Sequence, residues 1–231
     1  VIGEPLGTDK VIIGHKGLIR GIVRVFGRQV HGSMPWLGEN AFVKASALAL
    51  KFLEIYEAVL KSRRSAFIFD VGGGEHPTIN IGGYAESLAR KENIVPGEFN
   101  FSIDRRMIPE ESVEEVLREL DEYLTKTAEL VGARCKLEIR GVLPPVVTPK
   151  DSPLVKAAVE CVEKVKHVKP KVAISLVRSD ATHYIRIAGS HVVNYGPGTP
   201  DRAHIADEYV KIDELLDAAT VYKHLIKKLT G

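Results

Sequence analysis

Between residues 15 and 141 the hydrophobic period alternates between two and about 3.6 residues, and the order of those changes leaves few folds open. Residues 18 to 26, LIRGIVRVF, alternate apolar and charged side chains as a half-buried strand does, and the turn-prone GRQVHGSMP follows. Residues 41 to 60 then set Phe42, Ala45, Leu48, Ala49, Phe52, Leu53, Tyr56 and Leu60 at helical spacing, with Lys and Glu on the other face. Strand-like segments come at 66 to 70, 77 to 83 and 98 to 105. A second amphipathic helix runs from about Ser112, a residue type suited to an N-cap, to Leu130 ahead of Gly132. The strand CKLEIRG closes the series. Strand, helix, strands, helix, strand is the order of a ferredoxin-like α+β sandwich, with two helices on one face of an antiparallel sheet.

The segment LPPVVTPKDSP ends that pattern, because its prolines forbid a continuing helix and limit strand pairing, and it sets a domain boundary. Beyond it come a helix at 152 to 166, a strand at 171 to 176, a loop with RSDATHY, a strand at 191 to 194, the loop YGPGTPDRAH and a helix at 212 to 229. This alternation predicts a piece of an open parallel sheet that further strands would complete. Repeats and low-complexity tracts are absent from the sequence, so chemistry is sought in polar loop residues at strand ends.

Composition narrows the partners. A net charge of +2 from 32 basic and 30 acidic residues gives no reason to expect nucleic acid or an anionic membrane, and a small-molecule substrate is expected instead. No apolar run approaches the roughly 20 residues that span a bilayer. The two cysteines, Cys135 and Cys161, lie in separate amphipathic segments, against a disulfide framework and for a cytoplasmic location. Glutamine occurs once, at Gln29, while Lys and Glu are plentiful, a pattern that points to a thermophilic source. The opening VIGEPLGTDK has neither an initiator Met nor a secretory signal, so the chain is expected to begin inside a longer protein.

Several polar residues stand where chemistry could occur. Glu4 in VIGEP is held between an apolar stretch and a stiffening proline, as a metal ligand or as a solvated turn acid. His204 in PGTPDRAHIADEYV lies in a Gly- and Pro-rich loop with Asp207 and Glu208 close behind, a setting for a metal ligand oriented through its second ring nitrogen. His31 in GRQVHGSMP precedes small residues that let a ligand or another chain approach the backbone, and a turn histidine without a role fits as well. Arg106 beside Asp104 is suited equally to clamping a carboxylate and to a structural Asp–Arg pair. Asn93 in ENIVPGEF reads as a turn residue or as a donor to substrate.

In this order the motifs resemble those of the dinuclear zinc amidohydrolases that include acetylornithine deacetylase, succinyl-diaminopimelate desuccinylase, acetyl-lysine deacetylase, aminoacylase and carboxypeptidase G-type enzymes. VIGEP resembles the family's metal-ligand Gly-Glu-Pro turn, and KGLIRGIVRVFGRQVHGSMP the strand and histidine turn that open its lid domain. NIVPGEFNFSIDRR resembles its Pro-Gly strand ending in Asp-x-Arg, RSDATHY its Ser-Asp-Ala turn, and YGPGTPDRAHIADEYV its Gly-Pro-Gly and Ala-His ending.

That resemblance implies an α/β fold. Part of a zinc-peptidase-type catalytic domain, with a mixed or parallel sheet and helices, would comprise 1–14 and 142–231 with its N-terminal half missing. A ferredoxin-like lid and dimerisation domain, 15–141, would be inserted into it. Glu4 would ligate one zinc and His204 the other, with cobalt an alternative metal. The bridging Asp and the general-base Glu would lie upstream of Val1. His31 would donate to the oxyanion across a homodimer interface formed by residues 15–141, Arg106 and Asn93 would bind substrate, and Asp180 would organise the site behind the ligands. The implied reaction is hydrolysis of an N-acyl amino acid of the acetylornithine, acetyl-lysine or succinyl-diaminopimelate type. The alternatives are a non-catalytic binding or dimerisation module, or a dipeptidase or carboxypeptidase of the same family. Val177 and Arg178 stand where relatives commonly have Gly-Thr, which adds a positive charge suited to an acidic group.

Overall fold

A computed structural model describes residues 1–203 and 205–231. In chain order the strands are β1 (Gly7–His15), β2 (Gly17–Phe26), β3 (Val30–His31), β4 (Thr78–Ser87), β5 (Ile94–Val95), β6 (Glu98–Met107), β7 (Arg134–Leu143), β8 (Val146–Val147), β9 (Lys171–Ser175) and β10 (Asn194–Gly196). The helices are α1 (Ala41–Ser62), α2 (Val113–Leu130), α3 (Pro153–Lys166), α4 (Ala181–Arg186) and α5 (Ile212–Thr230). They form two compact units, one of Leu18–Arg64 with His76–Pro144, the other of Val1–Gly17, Ser65–Glu75 and Pro145–Gly231.

In the first unit the sheet runs β4-β6-β2-β7, with β4–β6 and β2–β7 antiparallel, the strand order of a ferredoxin-like sandwich. Of the helical stripe read from the sequence, Ala45, Leu48, Phe52, Tyr56 and Leu60 are buried and join Ile19, Val23, Ile103 and Met107 of the sheet and Leu120 and Leu124 of α2 in one core, while Ala49 and Leu53 are half-buried and Phe42 is exposed. Burial of a side chain such as Phe52 is worth about 1.5–3 kcal/mol against leaving it in water. Phe52 and Tyr56 stack with ring centroids 5.0 Å apart. Both helices start on side-chain caps. Asn40 Oδ1 accepts from the N–H groups of Phe42 (3.0 Å) and Val43 (3.2 Å), and Ser112 Oγ accepts from Glu115 N–H (3.2 Å). Asn40→Ala is accordingly expected to cost about 1 kcal/mol, read as a lower urea midpoint at unchanged slope.

The second unit is built on β1, which the periodicity does not reveal. Val11, Ile12 and Ile13 are all fully buried, so β1 reads as a continuous apolar run rather than an alternation. It pairs antiparallel with β10 and β8 and parallel with β9, so the sheet is mixed where a parallel one was expected from this segment alone. Helices α3 and α5 pack on one another and on β1.

Three local expectations change. Residues 66 to 70 form no strand; only Phe69 bridges, to Ile174, and the following glycines at 72 to 74 end any extension. That segment accordingly groups with the second unit. RSDATHY is not wholly a loop, because α4 starts at Ala181 after Ser179 Oγ accepts from Ala181 N–H at 3.2 Å. The strand expected at 191 to 194 is shifted to Asn194–Gly196, where Tyr195 N–H donates to Ile2 O at 3.0 Å. Both cysteines are free, Cys161 buried and Cys135 half-buried. Among the described residues no helix is long and apolar enough to cross a membrane.

Candidate functional site

Glu4 stands in the turn that leads into β1. Leu6 N–H donates to Glu4 O at 2.8 Å, closing a three-residue turn, while Ile2 is tied to Val193 O at 2.9 Å. The turn presses against Gly196, where a Cβ would lie 2.5 Å from Glu4 O, so the glycine is required by a backbone approach. Glu4 is half-buried, and burial, reinforced by the negative charge of Asp180, pushes its carboxyl above the usual range. The structure thus brings Glu4 and Asp180 into one electrostatic neighbourhood. Two hard oxygen donors whose like charges oppose each other suit a cation. Among the described residues, however, no group of three His, Cys, Asp or Glu gathers to hold a metal, so these side chains alone do not make a complete centre. His204 lies outside the described residues.

A histidine that the sequence reading passed over supports this region. His15, fully buried at the end of β1, has Nδ1 2.8 Å from Lys16 O and Nε2 2.9 Å from Thr182 Oγ1. A carbonyl only accepts, so Nδ1 carries the proton and Nε2 accepts from the threonine hydroxyl. Burial lowers its pKa against the opposing carbonyls of Lys16 and Ser179, which keeps it neutral. It pins α4, and with it the Asp180 turn, to β1. The only sequence signal was a lone histidine closing an apolar run, which is shared by many core histidines.

In the other unit, His31 and Asn93 come together. β3 and β5 pair with His31 opposite Ile94, Gly32 N–H donates to Asn93 O at 2.7 Å, and a Cβ on Gly32 would lie 2.9 Å from the Asn93 carbonyl carbon. The small residue after His31 therefore admits the backbone of the chain's own Asn93 turn. His31 is exposed, and its Nδ1 lies 3.2 Å from Ser33 N and 2.7 Å from Ser33 Oγ. Because a backbone N–H can only donate, Nδ1 is the acceptor and the neutral ring carries its proton on Nε2. The imidazole is thereby set as an N–H donor facing away from its own turn.

Arg106 is not grouped with these residues. It is the penultimate residue of β6, whereas Asn93 precedes the start of that strand. Its Nε and Nη2 donate to the two oxygens of Asp104 at 2.6 and 3.2 Å, and Arg20 Nε adds a bond to Oδ2 at 2.9 Å. Of the two readings open from sequence, the Asp–Arg pair is formed. Two guanidinium groups around one carboxylate still leave one net positive charge.

Residues 13–131 match the model of the M20 peptidase dimerisation domain, just over half of the chain. The chain belongs to the M20 peptidase family. A [LysW]-lysine/[LysW]-ornithine hydrolase of Sulfurisphaera tokodaii is 29% identical over 99% of this chain and 58% of its own length. A putative succinyl-diaminopimelate desuccinylase of Mycobacterium tuberculosis is 26% identical over 98% of the chain and 57% of its own. The crystal structure of an M20 family metallo-carboxypeptidase from Sulfolobus solfataricus superposes with a TM-score of 0.69 at 20% identity, covering 98% of this chain and 61% of that one, a likeness that shows the fold. The M20 chain described here therefore spans somewhat under two thirds of the length of such relatives.

Proposed function

We propose that this chain is part of a zinc-dependent hydrolase that cleaves the amide bond of an N-acyl amino acid, releasing a carboxylic acid and a free amine. The observation that carries the reading is the Glu4 turn: a half-buried carboxylate with raised pKa beside Asp180, in the Gly-Glu-Pro motif, held in place by the close approach of Gly196. Glu4 would hold one zinc and His204 the other. When bound, the metal would supply Lewis acidity to the amide and acidity to a water. Asp180, anchored through α4 by His15, would set a second carboxylate beside Glu4, a like charge that adds to burial in raising the Glu4 carboxyl and that a bound cation would offset. His31 would offer Nε2–H to the developing oxyanion in the partner's site, and Asn93 and the net positive Arg20, Asp104 and Arg106 group would meet the substrate's carboxylate.

The names of the relatives support lysine, ornithine or diaminopimelate derivatives as substrates. A protein of the relatives' full length, loaded with zinc, is expected to hydrolyse at least one of acetylornithine, acetyl-lysine, succinyl-diaminopimelate or [LysW]-lysine, and to lose that activity to a chelator. Absence of turnover on all four with metal bound would sink the reading. Turnover of dipeptides alone would move it to a peptidase.

Homodimerisation through residues 15–141 is the second part of the proposal. Trp36, 74% exposed, with Leu37, Phe42 and Val43 on the surface of that unit, supplies apolar area of the kind that subunit contacts cover.

A further inference from the structure

Burial alternates along β6, so Asp104 and Arg106 share the more open face of the sheet while Arg105 points into the core, where it is fully buried. An arginine in that position calls for a reason, because a buried ion pair is seldom more stabilising than apolar residues of similar volume. Its contacts supply one. The Arg105 guanidinium reaches back to the next residue of its own strand and donates from Nη1 to the carbonyl of Arg106.

Glu111 completes a clamp. Its Oε2 accepts from Arg105 Nη1 at 3.2 Å and from Ile108 N–H at 3.0 Å, while Oε1 accepts from Arg105 Nη2 at 2.5 Å. Tyr56 fixes the other edge of the guanidinium, accepting from Nε at 3.0 Å. Glu111 N–H in turn donates to Ile108 O at 3.1 Å and closes the turn that ends β6. The backbone is thus tied at the Arg106 carbonyl and again at Ile108, on both sides of the Arg106 side chain. That side chain, 29% exposed, is oriented on the open face by Asp104, which also serves Arg20. A guanidinium that meets an anion from a strand end depends on a backbone that does not drift, since misplacement by about 1 Å can cost a large factor in rate.

We propose that Arg105 is a positioning residue: clamped by Glu111, it holds the backbone of Arg106 so that the Arg106 side chain presents one geometry to the substrate's carboxylate. Arg105 itself touches no substrate, because its guanidinium is enclosed in the core beside Tyr56 of α1. The identity of the anion rests on the hydrolase reading above; the clamp does not.

Arg105→Lys tests it, since the ammonium keeps a positive charge beside Glu111 but ends one bond short of the guanidinium nitrogens and cannot fork to the Arg106 carbonyl as well. In a protein of the relatives' full length, KM for the acyl amino acid it hydrolyses is expected to rise about fivefold, with kcat changed by less than about twofold. In an Arg106→Met background the same change is expected to add nothing, because its effect passes through Arg106. A merely structural role predicts the reverse: partial unfolding removes active enzyme, so kcat falls, KM stays, and the loss is the same with or without Arg106. An unchanged KM, or equal effects in both backgrounds, would overturn the proposal. If Arg105→Lys fails to fold, Tyr56→Phe frees Nε alone and is expected to raise KM about twofold by the same route. A second readout needs no turnover. Nitrogen relaxation of the Arg106 Nε–H in the 231-residue chain is expected to give a lower order parameter in Arg105→Lys, while the amides of Phe101 and Ile103 keep theirs. An unchanged order parameter overturns the clamp whatever the enzyme does, whereas a hydrolytically inert protein with a loosened Arg106 counts against the hydrolase reading alone.

Discussion

Glu111→Ala is expected to destabilise the ferredoxin-like unit by about 3–5 kcal/mol, the usual cost of stranding a buried charge. Arg105 is fully buried, and Glu111 is its principal counterion, with Oε1 2.5 Å from Nη2 and Oε2 3.2 Å from Nη1. Tyr56 accepts from Arg105 Nε at 3.0 Å, and the carbonyl of Arg106 takes a further bond, but both are neutral and cannot replace the lost charge. Glu111 also accepts from Ile108 N–H at 3.0 Å and from Arg63 Nη1 at 2.9 Å, so one deletion takes an acceptor from three residues, of which Arg63 keeps Glu119 at 3.1 Å. By contrast Glu54, paired at 2.9 Å with Lys51 on the surface, should cost less than about 1 kcal/mol when replaced by alanine. Urea unfolding followed by amide exchange at Ile103 and Met107 reads the unit directly. A loss below about 1 kcal/mol for Glu111→Ala would show that Glu119, 3.9 Å from Arg105 Nη2, moves in to serve Arg105.

The same cluster sets a pH dependence. Burial raises the Glu119 carboxyl, but hydrogen bonds from Arg63 and Tyr56 and the charges of Arg63 and Arg105 outweigh it, so its pKa falls below the ordinary 4.5. A lowered carboxylate contributes stability that is fully present above its unfolded pKa and is lost as pH falls through its folded one. The stability of this unit should therefore weaken only as the pH falls below about 4.5, and Glu119→Gln should flatten that limb.

What was legible in the sequence follows from where each segment sits. α1 and α2 each bury one stripe, and β2 lies between a packed face and a more open one, so their periods survive in the sequence. β1 is covered on both sides and loses its alternation, which hid the strand around which the second sheet is organised. The FIFD stretch has strand composition, but one bridge at Phe69 is all the pairing it finds. Around the candidate residues, the turns at Glu4 and His31 were legible because a glycine or proline stands beside each, as in Gly3-Glu4-Pro5 and His31-Gly32. Their partners were not: Asp180 reaches Glu4, Asn93 seats Gly32, and His15 holds Thr182 only through tertiary contacts between segments far apart in the chain.

His31→Ala should lower turnover of the full-length enzyme by about 10²–10³-fold, the range found when a single oxyanion donor is removed. Folding should be nearly unaffected, within about 0.5 kcal/mol, because the side chain is exposed and, among the described residues, it bonds only to Ser33. Ser33→Ala should do less, since the Ser33 backbone N–H still holds Nδ1 as acceptor and keeps the proton on Nε2. A subunit-mixing experiment decides which site the imidazole serves. His31→Ala and Glu4→Ala subunits are each expected to be nearly inactive alone. If His31 acts across the dimer, a mixed dimer holds one site with both residues intact. Random pairing in equal amounts makes about half of the dimers mixed, so about a quarter of wild-type activity should return. If His31 instead serves its own subunit, every site in the mixture lacks one residue and mixing restores nothing, which would remove the partner-donated histidine from the mechanism.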